Sequence, residues 1–125
     1  MNQQSRNPHP NAIPNFQKAE IPRQKLVNYL LDPLHKEGRH KARVFKSALA
    51  FDQSSWEELA QAIIAELPYF PATVGSEGEW GKKYEVVLPI TGKNDRNVEV
   101  LTVWIIRLET DFPKFVTALV VGVKE

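Results

Sequence analysis

Apolar positions in this chain recur at helical spacing in three successive stretches and then switch to alternation. Leu26, Val27, Leu30 and Leu31 predict a short helix over 23–31, which Pro33 stops. After Gly38, Ala42, Phe45 and Leu49 fall on one side of a second helix, while Arg39, Arg43 and Lys46 gather on another. Lys41 lands beside Phe45 on the edge of the apolar stripe, so it must snorkel out or meet a partner. A third helix is signalled by Trp56, Leu59, Ala60, Ile63, Ile64 and Leu67, with Ser55 as N-cap, Glu58 completing a capping box and Pro68 as the stop. Residues 69–80 are expected to be a loop. The period then becomes two, with Tyr84, Val86, Leu88 and Ile90 alternating against Lys83, Glu85, Val87 and Pro89. A hairpin composition over 91–97 leads to a strand over 98–107 that is apolar on both faces and therefore central, and residues 115–123 form the next strand.

Helices before strands, without βαβ alternation, predict an α+β fold: two or three N-terminal helices packed on one face of a C-terminal antiparallel sheet of three to four strands. Residues 1–22 are rich in Asn, Gln and Pro and poor in large apolar groups, so they are expected to be a flexible arm, leaving 23–125 as a single α+β domain. The chain has 125 residues, enough for one core. Its lack of cysteine removes disulfides, thiolate metal sites and cysteine nucleophiles, and suits a reducing compartment. With no apolar run near the roughly 20 residues of a membrane span and no secretory leader, the expectation is a cytoplasmic protein without a membrane partner.

Charge sharpens this picture through its distribution. From 36 to 46, Lys36, Arg39, Lys41, Arg43 and Lys46 oppose Glu37 alone, a local balance of +4, whereas 52–79 holds six carboxylates and no lysine or arginine. Walker, dinucleotide-binding, nucleophile-elbow and HExxH motifs are absent. His35 and His40 lie five residues apart with no third ligand nearby, so neither a metal nor another cofactor is expected. Trp56, Trp80 and Trp104 read as packing residues rather than a stacking platform. The mixture of imidazoles and cations from His35 to Lys46 suits phosphodiester binding and metal-free RNA cleavage, which needs a base, an acid and a charge-stabilising cation. A solvated basic helix face would produce the same composition.

The segments KLVNYLLDPLH (25–35), GRHKARVFKSAL (38–49), GKKYEV (81–86), LPITG (88–92) and TVWII (102–106) resemble the bacterial domain-of-unknown-function family 6883. That family includes small stand-alone proteins and C-terminal domains of larger toxin-like or phage-related proteins, so the resemblance implies a toxin-type effector module. The helices-then-sheet order is also the layout of microbial ribonucleases and RelE-like toxins, an analogy of arrangement only. By position, the family's recurring polar residues correspond to His35, Gly38, Lys41, Tyr84, Thr102 and Thr117, with Trp104 on the strand of Thr102. Ala50 stands where a glycine is usual. These readings give the expected catalytic set: His35 as acid or base, Lys41 stabilising charge, and Tyr84 and Thr102 supplying hydrogen bonds from the sheet. His40 is an auxiliary, because its position varies in chemistry within the family. Lys36, Arg39, Arg43 and Lys46 are the expected contacts to RNA or, in the alternative of a non-catalytic interaction module, to an antitoxin-like or other acidic protein.

Overall fold

The change of period from helical to alternating marks the boundary between two layers. In the computed structural model, which describes residues 6–123, three helices cover one face of a four-stranded antiparallel sheet. Helix α1 begins as an α-turn, Arg23–Lys25, and widens into a π-turn, Leu26–Leu30; α2 is Arg39–Leu49 and α3 is Trp56–Glu66. The strands β1 (Ala72–Gly78), β2 (Gly81–Thr91), β3 (Asn97–Arg107) and β4 (Lys114–Val123) pair in sequence order. The π-turn ends at Leu30, one residue before the predicted helix end, with Leu26 and Leu30 both buried against the core.

Strand β1 occupies the stretch expected to be a loop. Its sequence, ATVGSEG, has little apolar alternation because it is an exposed edge strand, paired to β2 through its backbone and contributing almost nothing to the core. Burial is what writes periodicity into a sequence, and this strand has little. β2 and β3 pair without interruption from Gly81↔Arg107 to Thr91↔Asn97. β3 is central, as its composition predicts, but only its Val98, Val100, Thr102 and Trp104 face is sealed by helices. On the other face Leu101 and Val103 are half-buried, and Val87, Leu119 and Val121 are exposed.

The segment predicted to be a flexible arm is largely built into the domain. Its first five residues lie outside the described residues; from His9 onward it is fastened by backbone hydrogen bonds from His9 to Pro68 and from Ala72 to Asn11, each 2.9 Å. Ile13 is fully buried in the core, with Phe16, Ala19 and Ile21 packed against it. Glu20 then forms a parallel bridge with Lys114. Burial of Ile13 contributes about 1.5–3 kcal/mol, and the ordering of the segment rests on the sum of this with the packing of Phe16, Ala19 and Ile21 and the backbone hydrogen bonds to Pro68, Ala72, Pro113 and Phe115.

Helix ends also differ from the capping signals read in the sequence. Ser55 precedes α3 without capping it; instead Asp52 and Ser55 form a reciprocal capping box around the 3-10 turn Gln53–Ser55. α2 ends with Ala50 in the left-handed region at φ 61°, the conformation that explains why glycine is usual there. The β2–β3 hairpin closes this helix end: Lys93 N–H donates to the Leu49 carbonyl at 2.9 Å and Asn94 Nδ2 to that of Ala48 at 3.2 Å. Gly92 permits the approach, because a Cβ there would lie 2.6 Å from Leu49 Cα.

Candidate functional site

The site begins with a change of direction in β4. Between Val103/Trp104 of β3 and their partners Thr117 and Phe115, the register shifts, leaving an extra residue in β4. Strict alternation would send Thr117 and its neighbour Ala118 to opposite faces. The bulge lets Phe115 and Ala118 stay buried while Thr117 meets groups from the helices.

Those groups are Lys41 and Tyr29. Successive residues of α2 are rotated by about 100°, so Lys41 projects away from Arg39, Arg43 and Lys46, toward β4. Its Nζ donates to Tyr29 Oη at 2.8 Å and to Thr117 Oγ1 at 3.0 Å, and the two hydroxyl oxygens are 3.2 Å apart. The ammonium that the sequence left on the apolar edge is therefore held by two neutral hydroxyls, and the described ion pairs, Arg6–Glu66 and Lys18–Asp111, do not include it. Burial by itself would raise the pKa of the Tyr29 phenol. The hydrogen bonds from Lys41 and Thr117, with the charges of Lys41 and Lys25, outweigh it and hold the phenol below its ordinary value of 10.0.

His35 packs edge-on against Tyr29, with ring centroids 5.2 Å apart. Its Nδ1 accepts from the backbone N–H groups of Glu37 and Gly38, both at 2.9 Å. A nitrogen that accepts carries no proton, so this arrangement places the imidazole proton on Nε2. Gly38 is the pivot of the cluster. It is buried, and an added Cβ would run into the Tyr29 carbonyl oxygen and lie 3.0 Å from both the carbonyl carbon and Cδ1 of the same residue. Only a residue without a side chain lets the start of α2 lie against α1 in this way.

Of the residues singled out from the sequence, the structure brings together His35, Gly38, Lys41 and Thr117. Tyr29, read only as part of a leucine-rich helix, is the member that links them; the available signal was a phenol inside an apolar stripe, which needs a polar partner when partly buried. Thr102 lies elsewhere. It is fully buried, donating to the Val86 carbonyl and accepting from Trp104 Nε1, both at 2.8 Å, so its hydroxyl is consumed within the sheet. Tyr84, opposite Trp104 on β2, packs half-buried against the core rather than joining Lys41. His40 is exposed and lines a small apolar recess with Lys41, Val44 and Leu119.

The expected binding residues divide from Lys41. Arg39, Arg43 and Lys46 line a separate groove of about 680 Å³, bounded by Leu31, Pro33 and the turn at Asp52–Ser54; Lys36 is exposed outside it, its carbonyl accepting from Arg39 Nη1 at 2.9 Å. Asp52 keeps its carboxyl below the usual range mainly through the Ser54 hydroxyl, with the Ser54 backbone and the charges of Lys46 and Lys93 adding to it against partial burial. Among the described residues no cluster of three or more His, Asp or Glu side chains suited to a metal ion occurs, and no helix is long and apolar enough to cross a membrane.

The family described as "Domain of unknown function (DUF6883)" matches residues 12–122. The chain belongs to that family. The matched span starts eleven residues before the expected start of the domain at residue 23, and so takes in Ile13 and the strap that follows it. No curated protein and no solved structure matches the chain. Within this DUF6883 domain, the polar residues that the resemblance carried over separate into the Lys41 cluster at the sheet edge, the Thr102–Trp104 pair inside the core, and Tyr84, half-buried apart from both.

Proposed function

We propose that this DUF6883 domain is a nucleic-acid-directed effector, a toxin-type ribonuclease that cleaves RNA without a metal at the Lys41 cluster. One observation supports the reading above the others: Lys41 is held in place by the hydroxyls of Tyr29 and Thr117 rather than by a carboxylate, so its charge is positioned but not neutralised. Such a cation, fixed beside a phenol of lowered pKa, is suited to an anionic transition state.

In this mechanism Tyr29 first loses its phenolic proton to solvent, and its oxygen then accepts the proton of a ribose 2′-hydroxyl, which restores a neutral phenol beside Lys41 and leaves the lysine charge free for the phosphate. The 2′ oxygen attacks phosphorus, the bond from phosphorus to the 5′ oxygen breaks, and the departing oxygen takes a proton from water. The products are a 2′,3′-cyclic phosphate and a 5′-hydroxyl. Lys41 and the Nε2–H of His35 donate to the non-bridging oxygens as charge builds there. Thr117 holds the Tyr29–Lys41 pair in register. Tyr84 and Thr102 act through the sheet that supports β4 instead of touching RNA.

Purified protein incubated with RNA in EDTA, and bacteria induced to express it, test the reading directly. Cleavage with cyclic-phosphate ends and arrested growth are expected, both lost in Lys41→Ala. Intact RNA and unaffected growth with clean, folded protein would sink it.

A second reading has its own support. The groove of Arg39, Arg43 and Lys46 on the far side of α2 suits an acidic, antitoxin-like protein. Calorimetry with the product of a neighbouring gene would then show salt-sensitive binding, abolished by Arg39→Glu with Arg43→Glu and unchanged by Lys41→Ala. Binding that survives the arginine reversals would remove that reading.

A further inference from the structure

A second cationic surface, separate from the basic helix, lies where β1 turns into β2. Lys25 from α1, Lys83 from β2, Arg107 from β3 and Lys114 from β4 line one groove of about 450 Å³ together with Trp80. None of its lining residues is acidic, and neither of the ion pairs described for the molecule involves any of the four cations. Four like charges gathered in one concavity raise the local positive potential and attract a polyanion. No run of sequence announces them, because each comes from a different element.

Trp80 is the most exposed of the three tryptophans. Trp104 is fully buried and Trp56 is partly buried with Arg23 Cζ 5.7 Å from its ring centroid, whereas Trp80 leaves 39% of its surface exposed and has Lys83 Nζ 5.8 Å from its ring centroid. An exposed indole among cations is the combination that binds unpaired nucleotides: the ring stacks on a base while the cations meet phosphates. A duplex would offer the indole no free base face, and an acidic polypeptide would not call for a stacking ring. The groove also adjoins the candidate site along β4. Phe115 and Val116 line it, and the next residue is Thr117, which holds Lys41.

We propose that this groove binds single-stranded RNA, with its four cations on phosphates and Trp80 stacked on a base, and guides the strand over the β4 edge toward Lys41. The choice of RNA rests on the cleavage reading above; the binding itself is measurable without cleavage.

The test is fluorescence anisotropy of the intact protein with a short, labelled 2′-O-methyl RNA strand, which lacks the attacking hydroxyl. Four phosphate contacts predict a slope of log affinity on log salt of about −2.8. Lys83→Glu combined with Arg107→Glu is expected to halve that slope and weaken binding at least tenfold, while Trp80→Ala weakens it by about tenfold and leaves the slope unchanged. Lys93→Glu with Arg96→Glu, an equal charge change in the hairpin at the opposite end of β2 and β3, is expected to leave the slope unchanged. Matching urea midpoints establish that the variants are folded. The proposal is overturned if the Lys83/Arg107 variant binds as wild type does, if duplex RNA binds as tightly as the single strand, or if polyglutamate displaces the probe at equal charge concentration. Groove-dependent binding without cleavage by wild type would overturn the cleavage reading and leave the groove standing; cleavage with groove-independent binding would do the reverse.

Discussion

Replacing Gly38 with alanine adds one carbon, and the structure indicates where it would go. The new Cβ would sit 3.0 Å from the carbonyl carbon and Cδ1 of Tyr29 and closer still to its carbonyl oxygen. Carbon atoms rest at about 3.5–4.0 Å, so α1 and α2 must separate by roughly 0.5–1 Å. Gly38 has φ −89° and ψ −12°, which alanine adopts freely, so the strain comes from contact alone. Forced separation of a packed interface costs about 1–3 kcal/mol. The lower entropy of the unfolded alanine chain returns about 0.4–1 kcal/mol. The expected net loss is about 1–2 kcal/mol, a fall of roughly 0.5–1.5 M in the urea midpoint. The same movement lifts Tyr29 away from Lys41 and disturbs the Gly38 N–H that donates to His35, so the proposed function predicts that RNA cleavage per folded molecule falls as well. Gly75→Ala is the control, since its nearest neighbour would be Glu85 Oε2 at 3.6 Å, an ordinary contact. A Gly38→Ala protein that melts with wild type and keeps an unshifted Tyr29 would refute the close approach of the two helices.

Three further outcomes test other parts of the structure. Ile13→Ala should cost about 2–4 kcal/mol in urea unfolding, because it empties a fully buried site; a change below about 0.5 kcal/mol, the range of ordinary surface substitutions, would return residues 6–22 to the status of an arm. Thr102→Val keeps the shape but leaves Trp104 Nε1 buried without its acceptor, an expected loss of about 1–3 kcal/mol with activity per folded molecule retained. Loss of activity at unchanged stability would instead put Thr102 in the chemistry. Phenolate absorbance should show one of the three tyrosines titrating below pH 10.0, absent in Tyr29→Phe and moved upward in Lys41→Met. Because the folded-state pKa of this acid lies below its unfolded value, the unfolded state binds more protons between the two. Stability therefore rises with pH from the lowered Tyr29 value up to 10.0 and loses that contribution as pH falls through it. A flat difference between wild type and Tyr29→Phe across that window would contradict the hydrogen-bond geometry.

Local sequence determined the helices and the three strands that bury side chains, because burial imposes a period on any element that lies against a core. It also singled out Lys41, since a cation on an apolar stripe conflicts with its own helix. Four features were set by tertiary contact. Strand β1 pairs through its backbone and leaves no period; Ile13 and the strap after it fill a gap that composition does not describe. The β4 bulge, invisible to an alternation rule, aims Thr117 at Lys41 and Tyr29, while Thr102, on the central strand, is closed off by Trp104. The groove of Lys25, Lys83, Arg107 and Lys114 exists only because four elements end at one place. Periodicity reports which side of an element is buried, but the partner of a polar group is decided by which elements meet, and that information is spread over the whole chain.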